Sequence, residues 1–366
     1  MACAPLQLAT AAHFDDSAQA RQWMQAPAGE QTSYRRHGNS SVLQLEATFA
    51  ALEGGASCIA VSSGMAASVL VAGALLRSGE HVVLPANVFY ETTAQFQHLA
   101  NSMGVSLTRV TGGSVPALLA GCRHNTRMIL VESPANPGLA TLDLRTLAAA
   151  CHLRGILLVV DNTLLTPLAQ NVLDLGAHIS LYSLSKHLAG HGDVMGGMVC
   201  TRHPELHQSL VAWRTCAGNA LDPFSAWLAL RGLRTLALRL RRHAANAHAI
   251  AAMLRRQFAW LDWTGAWNGA DARRNRVRTR LHTGLMALRF ANRGQGGAFV
   301  DALQDIPVLP SFGNPETGVF HYGGVVEDAD ALAACEIPAG LVRLSVGIED
   351  PRDLLAALVP ALRRVS

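Results

Sequence analysis

The chain has 366 residues, half of them hydrophobic and only 15% charged. That balance excludes a disordered or fibrous protein, and the length implies one large and one smaller domain, because single cores stop growing at a few hundred residues. The formal charge of +4 is spread along the chain and names no partner by itself.

Several function classes fall away next. The longest apolar stretches, Ser68 to Leu76 and Gly155 to Val160, are far shorter than the roughly 20 residues of a membrane span, so no membrane partner is expected. The N-terminus shows no basic segment followed by an apolar core, and the expected location is the cytoplasm. Cysteines stand at positions 3, 58, 122, 151, 200, 216 and 335 without a Cys-x-x-Cys pair. This argues against a disulfide framework and a zinc site, and for small buried hydrophobes. The densest basic run, Arg273 to Arg280, has no aromatic inside it and reads as a solvated surface, so no nucleic-acid partner is expected. One compositional fact stands apart: Lys186 is the only lysine among 30 lysines and arginines. Arginine replaces lysine wherever a solvated charge suffices, but a guanidinium stays protonated and cannot condense with an aldehyde. Amine chemistry would require this exception; an arginine-biased composition would also leave one by chance.

In chain order, the first residues show weak periodicity and read as an N-terminal arm (1–45). From Gly54 to about Val199, short apolar runs alternate with amphipathic stretches, the pattern of an α/β layer with a mostly parallel sheet covered by helices. The expected strands are Cys58 to Val61, His81 to Leu84, Met128 to Glu132, Ile156 to Asp161, Ile179 to Tyr182 and Gly197 to Cys200. Ligands gather at the carboxyl ends of such strands, so Glu132, Asp161 and Ser183 to Lys186 should converge on one crevice. Ser62-Ser63-Gly64-Met65 follows the first strand and opens a helical segment, which suits a phosphate and also an ordinary capped helix. Asp161 suits a protonated pyridine nitrogen, a helix cap or a metal. Ser183 and Ser185 stand beside the lysine in Ser183-Leu184-Ser185-Lys186, where hydroxyls can bind phosphate while the amine forms an imine. His187 and His191 have a metal-compatible spacing, but Gly190 and Gly192 spoil a regular helix, and no metal is expected. Leu221 to Leu254 reads as long helix broken near Gly232, dividing a large domain (46–230) from a smaller α+β domain (231–366). In the latter, Leu285 to Phe290 and Leu341 to Val346 read as strands, Ala298 to Leu303 and Leu354 to Leu362 as helices.

From about Ser33 onward the sequence resembles the Cys/Met-metabolism family of fold-type I pyridoxal phosphate enzymes, the group that includes cystathionine γ-synthase, cystathionine γ-lyase, cystathionine β-lyase and methionine γ-lyase. The resemblance rests on motifs in order: Tyr34-Arg35-Arg36-His37-Gly38-Asn39, Leu52-Glu53-Gly54-Gly55, Ser63-Gly64-Met65, Val131-Glu132-Ser133-Pro134-Ala135-Asn136-Pro137, Val160-Asp161-Asn162-Thr163, Ser183-Leu184-Ser185-Lys186, Gly190-His191-Gly192-Asp193, Arg231-Gly232-Leu233-Arg234-Thr235-Leu236 and Arg343-Leu344-Ser345-Val346-Gly347. It implies a fold-type I architecture, with pyridoxal 5'-phosphate bound to Lys186 as a Schiff base and Asp161 pairing with the pyridine nitrogen. Gly64, Met65, Ser183 and Ser185 would hold the phosphate, and Tyr90 would stack on the cofactor ring and assist catalysis. Tyr34 and Arg36 would reach the phosphate from a neighbouring subunit, in a homodimer that extends to a homotetramer with shared sites. Arg343 would grip the carboxylate of a small amino-acid substrate in a fork, with Asn136 and Ser311 lining the same pocket.

The chain also departs from the family. Ser40-Ser41 stands for Pro-Thr after Gly38-Asn39, and Glu91-Thr92-Thr93 follows Tyr90 where a Gly-rich turn is usual. Thr92 falls where methionine γ-lyases have a cysteine. Gly313-Asn314-Pro315-Glu316-Thr317 replaces a Gly-Gly-x-Glu segment, a Met-Thr-His stretch is missing, and the N-terminal arm is short. The expected reaction is γ-replacement or γ-elimination on a sulfur-containing or activated homoserine-type amino acid, a reading with which Glu316 is compatible. β-Elimination, transamination and a catalytically silent scaffold are the alternatives.

Overall fold

A computed structural model describes residues 5–25, 33–265 and 283–366; the basic run at 273–280 lies outside them. Seven strands form one sheet: β1 (Ser57–Val61), β2 (His81–Pro85), β3 (Ser106–Val110), β4 (Thr126–Glu132), β5 (Leu157–Asp161), β6 (Ile179–Ser183) and β7 (Gly197–Thr201). Their order across the sheet is β1-β7-β6-β5-β4-β2-β3. Strands β2 to β6 run parallel to one another, whereas β7 is antiparallel to both β6 and β1. The sheet is thus mostly parallel, with an antiparallel flank beyond β6.

Alternation along the strands explains the burial on both faces. Cys58, Ala60, Val83, Ile129, Val131, Leu158 and Val160 join one core. Their neighbours Ile59, Val61, Val82, Leu84, Met128, Leu130, Leu157 and Val159 join another, as a period of two residues requires. Helix Gly64–Leu75 packs in the second core and is capped by Ser63, whose Oγ accepts from the Ala66 N–H at 3.0 Å.

A second sheet, ordered β10-β11-β9-β8, contains β8 (Asp262–Gly265), β9 (Leu285–Arg289), β10 (Gly318–His321) and β11 (Leu341–Ser345), all antiparallel. Helices Arg293–Asp301 and Pro351–Arg364 accompany it, each longer at its N-terminal end than the apolar pattern alone suggests. The long helical stretch is divided into Pro223–Leu233 and Leu236–Gln257. Gly232, at that break, lies so close to the Ala189 carbonyl that a Cβ would sit 2.2 Å from its oxygen. Helix Leu236–Gln257 begins among the residues of the first core and ends against the second sheet. A fourth cluster, with Leu139, Leu164 and Leu165 from one side and Leu285, Phe312, Tyr322 and Leu341 from the other, joins the two sheets. In the N-terminal arm, helix Ser17–Met24 buries none of its residues, and an isolated bridge pairs Ala11 with Tyr34.

Candidate active site

The strand ends converge as the α/β pattern predicts. Glu132 and Asp161 are register partners at the ends of β4 and β5. Beyond the end of β6 at Ser183, the chain makes one wide helical turn, Leu184–Leu188, in which Lys186 departs from helical backbone (φ −97°, ψ −139°). A cavity of about 230 Å³ lies above them, lined among others by Gly64, Met65, Asn136, Asp161, Ser183, Ser185, Lys186 and Arg343.

Lys186 Nζ donates to Ser311 Oγ at 2.9 Å and stands 5.3 Å from the centre of the Phe312 ring. Burial, and then the Arg343 cation, lower its ammonium to about 8, which favours the neutral, nucleophilic amine. Burial raises the Asp161 carboxyl; the groups opposing this are the hydroxyl and backbone N–H of Thr163, not a cation, and the N–H lies 2.9 Å from Oδ1. A carboxylate so enclosed, facing the cavity and lacking a cationic partner, suits a protonated ring nitrogen. Glu132 is raised well above its ordinary range by burial and then by Asp161, and its Oε2 accepts from the Phe89 N–H at 3.1 Å.

The corner assigned to phosphate is tightly built. Helix Gly64–Leu75 directs its free N-terminal amides there. A Cβ at Gly64 would lie 2.9 Å from the Ser183 Cβ, so glycine permits the helix to meet the end of β6. The Ser183 N–H donates to Thr163 Oγ1 at 2.8 Å, and Ser185 Oγ accepts from the Gly196 N–H at 3.3 Å. Among the described residues, the only cationic side chains lining this cavity are Lys186 and Arg343.

Arg343 is held more fully than a simple carboxylate fork. Its Nη1 donates to Asn136 Oδ1 at 3.1 Å and Tyr322 Oη at 3.0 Å, and its Nη2 to the carbonyls of Leu309 at 3.2 Å and Ser311 at 2.9 Å. Phe312, Phe320 and Tyr322 surround the guanidinium at 5.5, 5.6 and 5.8 Å. Its buried Nε has no partner, the kind of orphaned donor that an incoming carboxylate satisfies. The lysine, the cation-free carboxylate, the glycine-built corner and this orphan together fit pyridoxal phosphate with an amino acid.

Four expected residues lie off this lining: Tyr90, Tyr34, Arg36 and Ser311, the last of which reaches the site through its hydrogen bond from Lys186. Tyr90 is half exposed at the start of helix Tyr90–Met103, its hydroxyl turned to Glu91 Oε1 at 3.3 Å, while its neighbours Phe89, Glu91 and Thr92 line the cavity. Tyr34 is exposed, and Arg36 lies over its ring and donates from Nη1 to the Thr215 carbonyl at 3.0 Å. Glu316 is exposed and does not line the cavity, so it gives no support to a γ reaction. His187 is buried against His243 and Phe312 with both ring nitrogens unpartnered, whereas His191 Nδ1 pairs with the Ala189 carbonyl. Among the described residues no group of three or more potential metal ligands occurs, and no helix is long and apolar enough to cross a membrane. Phe312, Tyr322 and Thr163 were not evident from the sequence pattern; a hydroxyl two residues beyond Asp161 was the only local signal among them.

An α/β sheet with a lone lysine and an aspartate at its strand ends, facing a buried arginine from a second sheet, defines a lysine-bound cofactor enzyme acting on amino acids. The chain belongs to the family described as Cys/Met metabolism PLP-dependent enzymes, which matches residues 1–363. It is 35% identical to a cystathionine gamma-synthase of Mycobacterium tuberculosis over 332 residues, 90% of this chain and 86% of the relative. An L-methionine gamma-lyase of Pseudomonas putida is also 35% identical, over 92% of this chain and 87% of its own. The crystal structure of cystathionine gamma synthase from Xanthomonas oryzae pv. oryzae in complex with cystathionine superposes with a TM-score of 0.90 at 35% identity. That match covers 99% of this chain and 92% of the other.

Proposed function

We propose that this chain is a cytoplasmic pyridoxal phosphate enzyme catalysing γ-replacement or γ-elimination on a sulfur-containing or activated homoserine-type amino acid, as a homodimer that extends to a homotetramer. The observation that carries the reading is the meeting of Lys186, Asp161 and Arg343 around one cavity. The γ chemistry is supported by relatives named for synthase and lyase activities of that kind.

When bound, pyridoxal phosphate draws electrons from the amino acid's α carbon, making proton loss there accessible. Asp161 keeps the pyridine nitrogen protonated. Gly64, Met65, Ser183 and Ser185 would hold the phosphate, and Tyr90 would stack on the ring. Arg343, held by Asn136, Tyr322 and the Ser311 carbonyl, binds the substrate carboxylate. Lys186 Nζ, oriented by its hydrogen bond to Ser311 Oγ, would accept the α proton and move protons along the same face of the substrate. In elimination the bond from the γ carbon to sulfur or oxygen breaks, that atom leaves with a proton, and water releases ammonia and 2-oxobutanoate. In replacement, an incoming thiol forms the new γ bond and gives up its proton.

Mass spectrometry of products from homoserine esters, cystathionine and methionine tests this. A 2-oxobutanoate product or a new γ thioether is expected. Pyruvate alone would mean β-elimination, and an oxo acid formed with conversion of the cofactor to its amine form would mean transamination; either overturns the γ assignment.

A further inference from the structure

Resting on that γ reading, we infer that Glu91 selects the far end of the substrate: it recognises a γ substituent ending in an ammonium group and disfavours one ending in a carboxylate or phosphate. Five ionisable residues line the cavity: Glu91, Glu132, Asp161, Lys186 and Arg343. Four are accounted for, with Lys186 and Asp161 directed to the cofactor, Arg343 to the α-carboxylate, and Glu132 buried and bound to the Phe89 N–H. Glu91 has no such task.

Its location gives it one. Among the lining residues, only Glu91, Met195 and Pro310 are exposed, so these three mark the mouth, and Glu91 is the only charged one. An amino acid anchored by its carboxylate at the buried Arg343, with its amine at Lys186, extends its side chain from the interior toward that mouth. The Glu91 oxygens are available to it, since the one hydrogen bond they accept, from the Tyr90 hydroxyl, is long at 3.3 Å. The carboxylate also acts on Lys186 by charge, in the direction that favours the ammonium. An acid in the first turn of helix Tyr90–Met103 stabilises that helix as well, but helix stability does not require an acid at the cavity mouth.

The test compares S-(2-aminoethyl)-, S-propyl- and S-(2-carboxyethyl)-L-homocysteine, which share a scaffold and differ in terminal charge, with the holoenzyme and its Glu91→Gln variant. The wild type should rank them cationic, neutral, anionic in kcat/KM, with steps of about fivefold as for a partly solvated ion pair. Glu91→Gln should collapse the cationic-to-anionic ratio toward one, and Glu91→Asp should keep its sign. Calorimetric dissociation constants for L-lysine, L-norleucine and L-2-aminoadipate, which carry no γ leaving group, should follow the same order and the same collapse. An anion-preferring wild type, or a ratio unchanged by Glu91→Gln in both measurements, would overturn the inference. Absence of both 2-oxobutanoate from every thioether and a new γ thioether from homoserine esters would instead overturn the γ reading, and the calorimetric ratio would still decide the role of Glu91.

Discussion

A lysine side chain ordinarily keeps its proton until well above neutral pH, and the site around Lys186 reverses that tendency. Burial contributes most and the Arg343 cation next, bringing the group down to about 8 against the opposing charge of Glu91. The folded value lies below the unfolded one of roughly 10.4, so between them the unfolded chain binds more protons. The destabilisation from this group is therefore fully present below about 8 and is relieved as pH rises through that window. The same shift sets how readily the amine condenses. The rate at which apoprotein mixed with pyridoxal phosphate gains visible absorbance should climb through a midpoint near 8, and a midpoint near that of free lysine would show that the amine is solvated. Lys186→Arg should give no such absorbance at any pH, because the charge remains without a condensing amine. Lys186 was legible in the sequence because it is the only lysine, and Asp161 because it ends an apolar strand. Phe312 and Tyr322 were not: Phe312 meets Lys186 only when the second sheet folds back over the first, and Tyr322 meets Arg343 only through the pairing of β10 with β11.

At the level of elements, the cofactor-binding layer depends on a charge pair outside the cavity lining. Glu46, in helix Ser40–Leu52, accepts from the Ala60 N–H of β1 at 2.8 Å and from Arg214 Nη1 at 2.7 Å. Arg214, in helix Pro204–Ala217, also donates to the His37 carbonyl at 3.2 Å. Two helices and an edge strand are thereby tied together through side chains only 4% and 11% exposed. Removing one partner leaves the other charge buried and uncompensated, so Glu46→Ala should lower stability in urea unfolding by about 3–5 kcal/mol. Glu46→Gln, which keeps an acceptor for Ala60, should cost less. A loss under about 1 kcal/mol for the alanine variant would show that water reaches the guanidinium. Element prediction succeeded where burial on both faces left continuous apolar runs, as in β4 and β5, and failed elsewhere for identifiable reasons. Strand β3 (Ser-Leu-Thr-Arg-Val) lies at the edge of its sheet and is only partly buried, so its sequence is mixed. The other missed strands, β8 and β10, span four residues each and contain glycine, too short for a period of two to register.

For the whole molecule, the phosphate corner argues that one chain does not complete its own site. A bound phosphate carries about two negative charges at neutral pH, and among the described residues no arginine other than Arg343 lines the cavity. Helix amides and two serine hydroxyls supply only partial charges. Arg36 and Tyr34, meanwhile, have exposed side chains ahead of the first sheet: Arg36 donates to the Thr215 carbonyl and lies over the Tyr34 ring, which contacts His37. Such residues are disposed to reach a neighbour, and in a two-fold dimer each arm would complete the other subunit's site. Lys186→Ala and Arg36→Ala proteins should each be nearly inactive. Co-expressed in equal amounts, they should recover about a quarter of wild-type activity, since half of randomly formed dimers are mixed and each mixed dimer holds one site free of both lesions. Were Arg36 to serve its own subunit, both sites of a mixed dimer would carry a lesion. Verified mixed dimers without recovery would therefore remove Arg36 from the partner's site.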